Sequence, residues 1–211
     1  LSRLVTVSNR VGVPTPGATR AGGLEAALRE ALEAEGGVWF GWSGEVGETR
    51  SEKPIILKKG NVTFATVDLS RTDYEDYYLG YANSTLWPLL HYQLGLIEFH
   101  RKQFQGYIAV NEYLARMLAP LIQPDDLIWV HDYHLIPLAQ ELRKLGIKNR
   151  IGFFLHTPFP PTDIMVALPH HEVIMQALCC YDLIGLQTEL GVRAFLDYIA
   201  REANGRLEFD G

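Results

Sequence analysis

From Leu127 onward the chain alternates short apolar runs with amphipathic ones at a regular spacing, and this alternation constrains the fold more than any other feature. It predicts strands over residues 127–130, 151–155 and 183–186 and helices over 135–145, 172–180 and 189–203. The strands are almost wholly apolar, as strands are when helices cover both faces of a parallel sheet. The first part of the chain fits the same scheme. A β-branched run predicts a strand over 3–8, followed by a loop over 9–21. Leu24, Ala27, Leu28, Ala31 and Leu32 then fall on one face of a helix entered through Gly22 and Gly23. Further expectations are a strand over 38–42, a hairpin of 55–57 with 62–67 turned at Lys59-Gly60-Asn61, and a helical stretch over 74–122 broken near Pro88 and Gly95. The expected fold class is α/β: one doubly wound, mostly parallel Rossmann-like sheet, with no repeat or linker.

The 211 residues, 47% of them hydrophobic, suffice for a sizeable buried core. With 19 Lys+Arg against 25 Asp+Glu the formal charge is −6, which argues against a general nucleic-acid binder. No apolar run approaches the roughly 18 residues of a membrane span, so no membrane partner is expected and the setting reads as cytoplasmic. Cys179 and Cys180 are adjacent in a helical pattern, which suits a reducing compartment and small hydrophobes better than a disulfide. The start at Leu1, and residues 206–211 reading as one arm of a hairpin ending in Asp210-Gly211, point to a piece of a longer chain. The helix faces do not reveal whether it forms a homo-oligomer.

In open α/β sheets ligands bind beyond the carboxyl ends of the strands. The residues expected there are Asn9 and Arg10, Trp42, His131 and Asp132, His156, and Gln187, Thr188 and Glu189. Arg10 follows an apolar strand, where a guanidinium fork suits a phosphate, or else pairs with a surface carboxylate. Gly22 and Gly23 open a helix whose free N–H groups suit a diphosphate, although the GxGxxG dinucleotide pattern is absent. Their plainer role is to let the loop meet the helix. His131-Asp132-Tyr133-His134 lacks a third ligand at a recognisable spacing, so no metal is expected. Asp132 suits sugar hydroxyls or, more simply, an N-cap. His156 begins a turn stiffened by Pro158, Pro160 and Pro161, while His170 and His171 read as solvated capping residues. Trp42, Tyr78 and Trp87 suit the apolar faces of sugars; Trp39 and Trp129, inside strands, read as core.

The runs LVTVSNRVGVP, AGGLEAAL, GGVWFGWSGE, YYLGYANSTLWPLLHY, DDLIWVHDYHLIPLAQELRKLGIKNRIGFFLHTPFPP and YDLIGLQTE resemble the trehalose-6-phosphate synthase family, collinearly over essentially the whole chain. The resemblance implies the two-domain GT-B fold and transfer of glucose from UDP-glucose to glucose 6-phosphate with retention. It implies that residues 1–211 are the N-terminal, acceptor-side domain, that the donor domain lies outside this chain, and that the chain alone is inactive. Carried over residue by residue, it makes Arg10, Tyr78, Asp132, Trp42 and Trp87 the glucose 6-phosphate site and Gly22, Gly23 and His156 the donor side. Trp87 and Thr157 become the anomer-selecting positions, and the hydroxyl of Thr157 stands where bacterial members can carry an apolar residue. His156 and Asp132 are the catalytic candidates, acting without an enzymic nucleophile or assigned general base, and no cofactor is implied. The rival readings are an acceptor such as glycerol 3-phosphate and a non-catalytic sugar-phosphate-binding domain.

Overall fold

The computed structural model describes residues 2–13, 23–203, 205, 206 and 208. Its seven strands are β1 (Leu4–Arg10), β2 (Gly37–Gly47), β3 (Ile55–Lys59), β4 (Val62–Ser70), β5 (Leu127–His131), β6 (Ile151–Phe154) and β7 (Leu183–Gly185). They form one sheet in the order β3-β4-β2-β1-β5-β6-β7, parallel except for β3. The expected hairpin is β3–β4, and its turn holds Gly60 at φ +60°. From β1 the chain winds outward through β2 and β4, then returns to the other side of β1 and winds through β5, β6 and β7. The switch point therefore lies between β1 and β5.

Helix α1 (Gly23–Glu35) covers one face, where Leu28 and Leu32 pack with Trp39, Val62 and Phe64. The other face carries the larger core, built from Val5, Val7, Phe40, Val130 and Phe153 against helices α4 (Arg101–Leu118), α5 (Leu138–Lys144) and α7 (His171–Leu178). Helix α8 (Glu189–Arg201) adds to this layer through Phe195 on Phe159. Over β5–β7 the first face lies open. A cavity of about 700 Å³ there is lined by Leu4, Trp129, Phe154 and Leu183, and Leu183 is 72% exposed. Trp129, expected in the core, is only half-buried because no described helix crosses this part of the sheet.

The stretch over 74–122 is helical but not one α-helix. A single turn, α2 (Arg71–Asp73), is capped by Ser70, and Asp73 reaches back to Arg50. A π-helix (Tyr74–Leu86) follows and runs into α3 (Trp87–Leu90). Pro88 does not break the chain: the Ser84 carbonyl, which an N–H at position 88 would meet in an α-helix, accepts from Glu98 N instead at 2.9 Å. The break comes at Tyr92, with φ +60°. A short helix, α6 (Thr162–Met165), follows the proline turn. The hairpin arm expected at 206–211 lies mostly outside the described residues.

Candidate active site

β1 delivers Asn9 and Arg10 to the switch point. Its pairing with β2 shifts register between Ser8 and Arg10, and such a bulge re-aims the side chain that follows. Asn9 Oδ1 accepts a hydrogen bond from Tyr77 Oη at 2.7 Å. Arg10 is exposed, its guanidinium 6.0 Å from the Trp42 ring centroid, with no carboxylate in ion-pairing range among the described residues. Gly44 permits this placement: its φ is +95°, and a Cβ on it would stand 2.5 Å from a guanidinium nitrogen of Arg10.

Trp42, expected at a strand end, lies inside β2, which continues to Gly47. Its side chain is 5% exposed, and Nε1 donates to the Glu45 carbonyl at 2.7 Å. Its ring lies 5.7 Å from Tyr74 and 5.4 Å from Tyr78. Tyr78 stacks on His134 at 5.7 Å, and His134 on Tyr133 at 4.1 Å. Trp42 thus backs an aromatic wall whose half-buried members are Tyr74 and Tyr78. Widened π-helical turns bring residues four apart nearly into line, and Tyr74 and Tyr78 stack at 5.5 Å. Trp87 is 38% exposed and stacks on His91 at 4.2 Å. Trp87 and His91 stand on α3 and at its end, directly after the π-helix that carries Tyr78.

Asp132 follows β5 with φ +76°, a conformation an aspartate adopts only when its surroundings impose it. It caps the 3₁₀ turn Tyr133–Leu135 and not the helix containing Pro137, as its Oδ1 accepts from Tyr133 N at 3.0 Å. Buried side chains take all three carbonyls of that turn. Tyr107 Oη donates to Tyr133 O at 2.6 Å, Asn111 Nδ2 to His134 O at 3.1 Å, and Tyr181 Oη to Leu135 O at 2.7 Å. Burial pushes the Asp132 carboxyl upward, against the Tyr133 N–H and the His156 ring.

His156, two residues past β6, is held at three atoms. Its N–H donates to Asp132 Oδ1 at 3.4 Å, its carbonyl accepts from Gln187 Nε2 at 2.6 Å, and its Nε2 lies 3.0 Å from His131 Nδ1. Burial holds its imidazole pKa below the usual value, with Asp132 opposing. Thr157 is buried beside it, and its Oγ1 has no partner among the described residues. Thr188 caps α8, its Oγ1 accepting from Gly191 N at 3.1 Å. Gly22 lies outside the described residues, and Gly23 is the first residue of α1. His170 stacks on Phe104, and His171 Nδ1 lies 2.6 Å from Tyr198 Oη, so neither ring is simply solvated. No group of three or more His, Cys, Asp or Glu among the described residues could hold a metal ion.

Contacts therefore link Arg10 through Trp42 to Tyr78, and Tyr78 through His134 and Tyr133 to Asp132 and His156, along the crevice at the carboxyl ends of the strands, with Trp87 on the helix that follows Tyr78. Sequence reasoning missed the parts that hold these groups. The strand-end reading places Asn9 without its partner Tyr77, and takes His131 as a strand-end group or a metal ligand and His134 as a metal ligand, not as rings against His156 and Tyr78. The available signal was that two histidines flank Asp132, at the end of an apolar strand where both become buried.

The chain matches glycosyltransferase family 20 over residues 7–207. It belongs to that family. The trehalose-6-phosphate synthase of Sinorhizobium fredii is 52% identical over 208 residues, which are 97% of this family 20 chain and 45% of that protein. A Burkholderia xenovorans α,α-trehalose-phosphate synthase (UDP-forming), solved in complex with glucose-6-phosphate, superposes with a TM-score of 0.92 at 50% identity, covering 100% of this chain and 46% of that one. An Escherichia coli structure bound with UDP-2-fluoro glucose gives a TM-score of 0.91 at 48% identity, covering 100% of this chain and 45% of that one. The family 20 chain spans less than half the length of the curated relatives it matches. Its doubly wound, mostly parallel sheet is the fold expected from the sequence.

Proposed function

We propose that this chain is the acceptor-side domain of a retaining glycosyltransferase that moves glucose from UDP-glucose to glucose 6-phosphate. The observation that carries the reading is Arg10, an exposed guanidinium without a carboxylate partner among the described residues, set beside Trp42 at the head of the aromatic contacts that run to Asp132. Relatives near 50% identity with bound glucose-6-phosphate and a UDP-glucose analogue supply the substrate classes. Arg10 meets the acceptor phosphate, Tyr78 and Trp87 the sugar face, Asp132 the acceptor hydroxyls, and His156 the transferred glucose. Trp87 and Thr157 bear on anomer choice. Gly23, the first residue of α1, and Gly22 before it in the sequence are assigned to the donor diphosphate.

In the reaction the bond from glucose C1 to the UDP oxygen breaks and a bond forms from C1 to the acceptor hydroxyl oxygen on the same face. The acceptor proton passes to the departing diphosphate oxygen. The chain contributes orientation, and the donor domain outside it contributes groups that hold UDP. The chain alone is then inactive, and its cysteine usage suits the cytoplasm. Isothermal titration of this chain with glucose 6-phosphate, glucose and glycerol 3-phosphate tests the reading. Binding of glucose 6-phosphate alone is expected. Binding of glycerol 3-phosphate in its place would favour the rival acceptor, and the absence of any binding would move the site's completion to the donor domain.

A further inference from the structure

We propose that His131 is a positioning residue that fixes His156 as its Nδ1–H tautomer, so that His156 aims a hydrogen-bond donor at a hydroxyl oxygen of the bound sugar. This rests on the reading that His156 faces the transferred glucose. The two rings meet at 3.0 Å between His131 Nδ1 and His156 Nε2. Two neutral imidazoles in such contact share one proton, and surroundings decide which ring owns it.

His131 is 1% exposed and packs its ring 4.3 Å from Trp129. Its Nε2 is enclosed without a partner among the described residues. A proton on that nitrogen would be an orphaned buried N–H, whereas a bare lone pair there is the lesser penalty. The proton therefore sits on His131 Nδ1 and is donated to His156 Nε2. Burial keeps His131 neutral, with its pKa lowered to about 3. His156, accepting at Nε2, carries its own proton on Nδ1. That nitrogen is not among the enclosed polar atoms and has no protein partner among the described residues, so its N–H is free for a ligand. A free histidine side chain prefers the Nε2–H form, so His131 reverses an intrinsic preference. Asp132 and Gln187 hold the main chain of His156 and leave its ring to His131.

The test is the tautomer itself, read by long-range 1H–15N correlation on the 15N-histidine-labelled chain near neutral pH. His156 should show a protonated Nδ1 and a bare Nε2. His131→Phe should shift it toward Nε2–H, whereas His131→Asn, whose amide can donate from nearly the Nδ1 position, should keep it. In the full-length enzyme His131→Phe should lower kcat about tenfold or more with little change in KM for glucose 6-phosphate, and His131→Asn should recover most of it. An Nε2–H tautomer in the unaltered chain, or an unchanged tautomer in His131→Phe, would overturn the proposal. If His131→Phe does not fold, the unaltered chain and His131→Asn decide. Absence of transfer to glucose 6-phosphate with the Nδ1–H form intact would count against the functional reading and leave this one standing.

Discussion

Arg10 holds a charge that the described residues do not neutralise, so its removal should be felt by an anionic ligand above all. A charge-assisted hydrogen bond contributes about 1.5–3 kcal/mol, which corresponds to about 10- to 100-fold in binding. Arg10→Ala in the full-length enzyme should raise KM for glucose 6-phosphate by that factor, with KM for UDP-glucose changed by less than about twofold. Equal effects on both substrates in initial-rate kinetics would remove the phosphate role. Gly44→Ala should act in the same direction without touching a charge, because its Cβ would occupy the guanidinium's place. Asp132 allows a cleaner separation of fold from chemistry. Asn has nearly the shape of Asp, so it makes the same backbone demand at φ +76°, and it keeps an oxygen for Tyr133 N; Asp132→Asn should therefore lower kcat while circular dichroism and the unfolding midpoint stay near those of the parent. An unfolded variant would reduce Asp132 to a cap.

At the scale of elements, the 3₁₀ turn after β5 owes its rigidity to donors from α4 and from Tyr181, none of them near it in sequence. Tyr107→Phe leaves the Tyr133 carbonyl buried and unpaired, and urea unfolding should show a loss of about 1–3 kcal/mol. A change below a few tenths would mean that the turn holds itself. Such couplings explain what the sequence did and did not disclose. Strand ends were legible because an apolar run stops where a polar residue begins, as at Val130-His131 and Leu155-His156. The extent of β2 was not, since Ser43 to Gly47 carry no strand periodicity and pair with β4 only past a register shift. The helical character of 74–122 was legible, but its π-helical part was not. That geometry is decided by packing of Tyr77 and Tyr81 on Tyr107, more than twenty residues away. The partners of Asp132 and His156 were hidden for the same reason: hydrogen bonds between separate strands leave no local pattern.

Across the whole molecule, buried neutral histidines contribute to the acid response. Burial lowers His131 and His134 to about 3, against an ordinary value of 6.5. Between those values the unfolded chain takes up protons that the folded chain refuses, so stability is lost as pH falls from about 6.5 toward 3. Each histidine contributes a slope of about 1.4 kcal/mol per pH unit. His134→Phe, which also removes two enclosed ring nitrogens without partners among the described residues, should be at least as stable at neutral pH and show a slope shallower by one proton between pH 6 and 4. An unchanged slope in urea titrations would assign the acid response elsewhere. The open sheet face over β5–β7 has an optical consequence as well. Of the four indoles, Trp39 and Trp42 are shut away, Trp87 is exposed on α3 beside His91, and Trp129 lines the open face. Collisional quenchers should therefore reach two emitters in two separate places. A sugar phosphate entering the crevice would shield Trp87, whereas anything settling over β5–β7 would shield Trp129 and shift its emission to the blue.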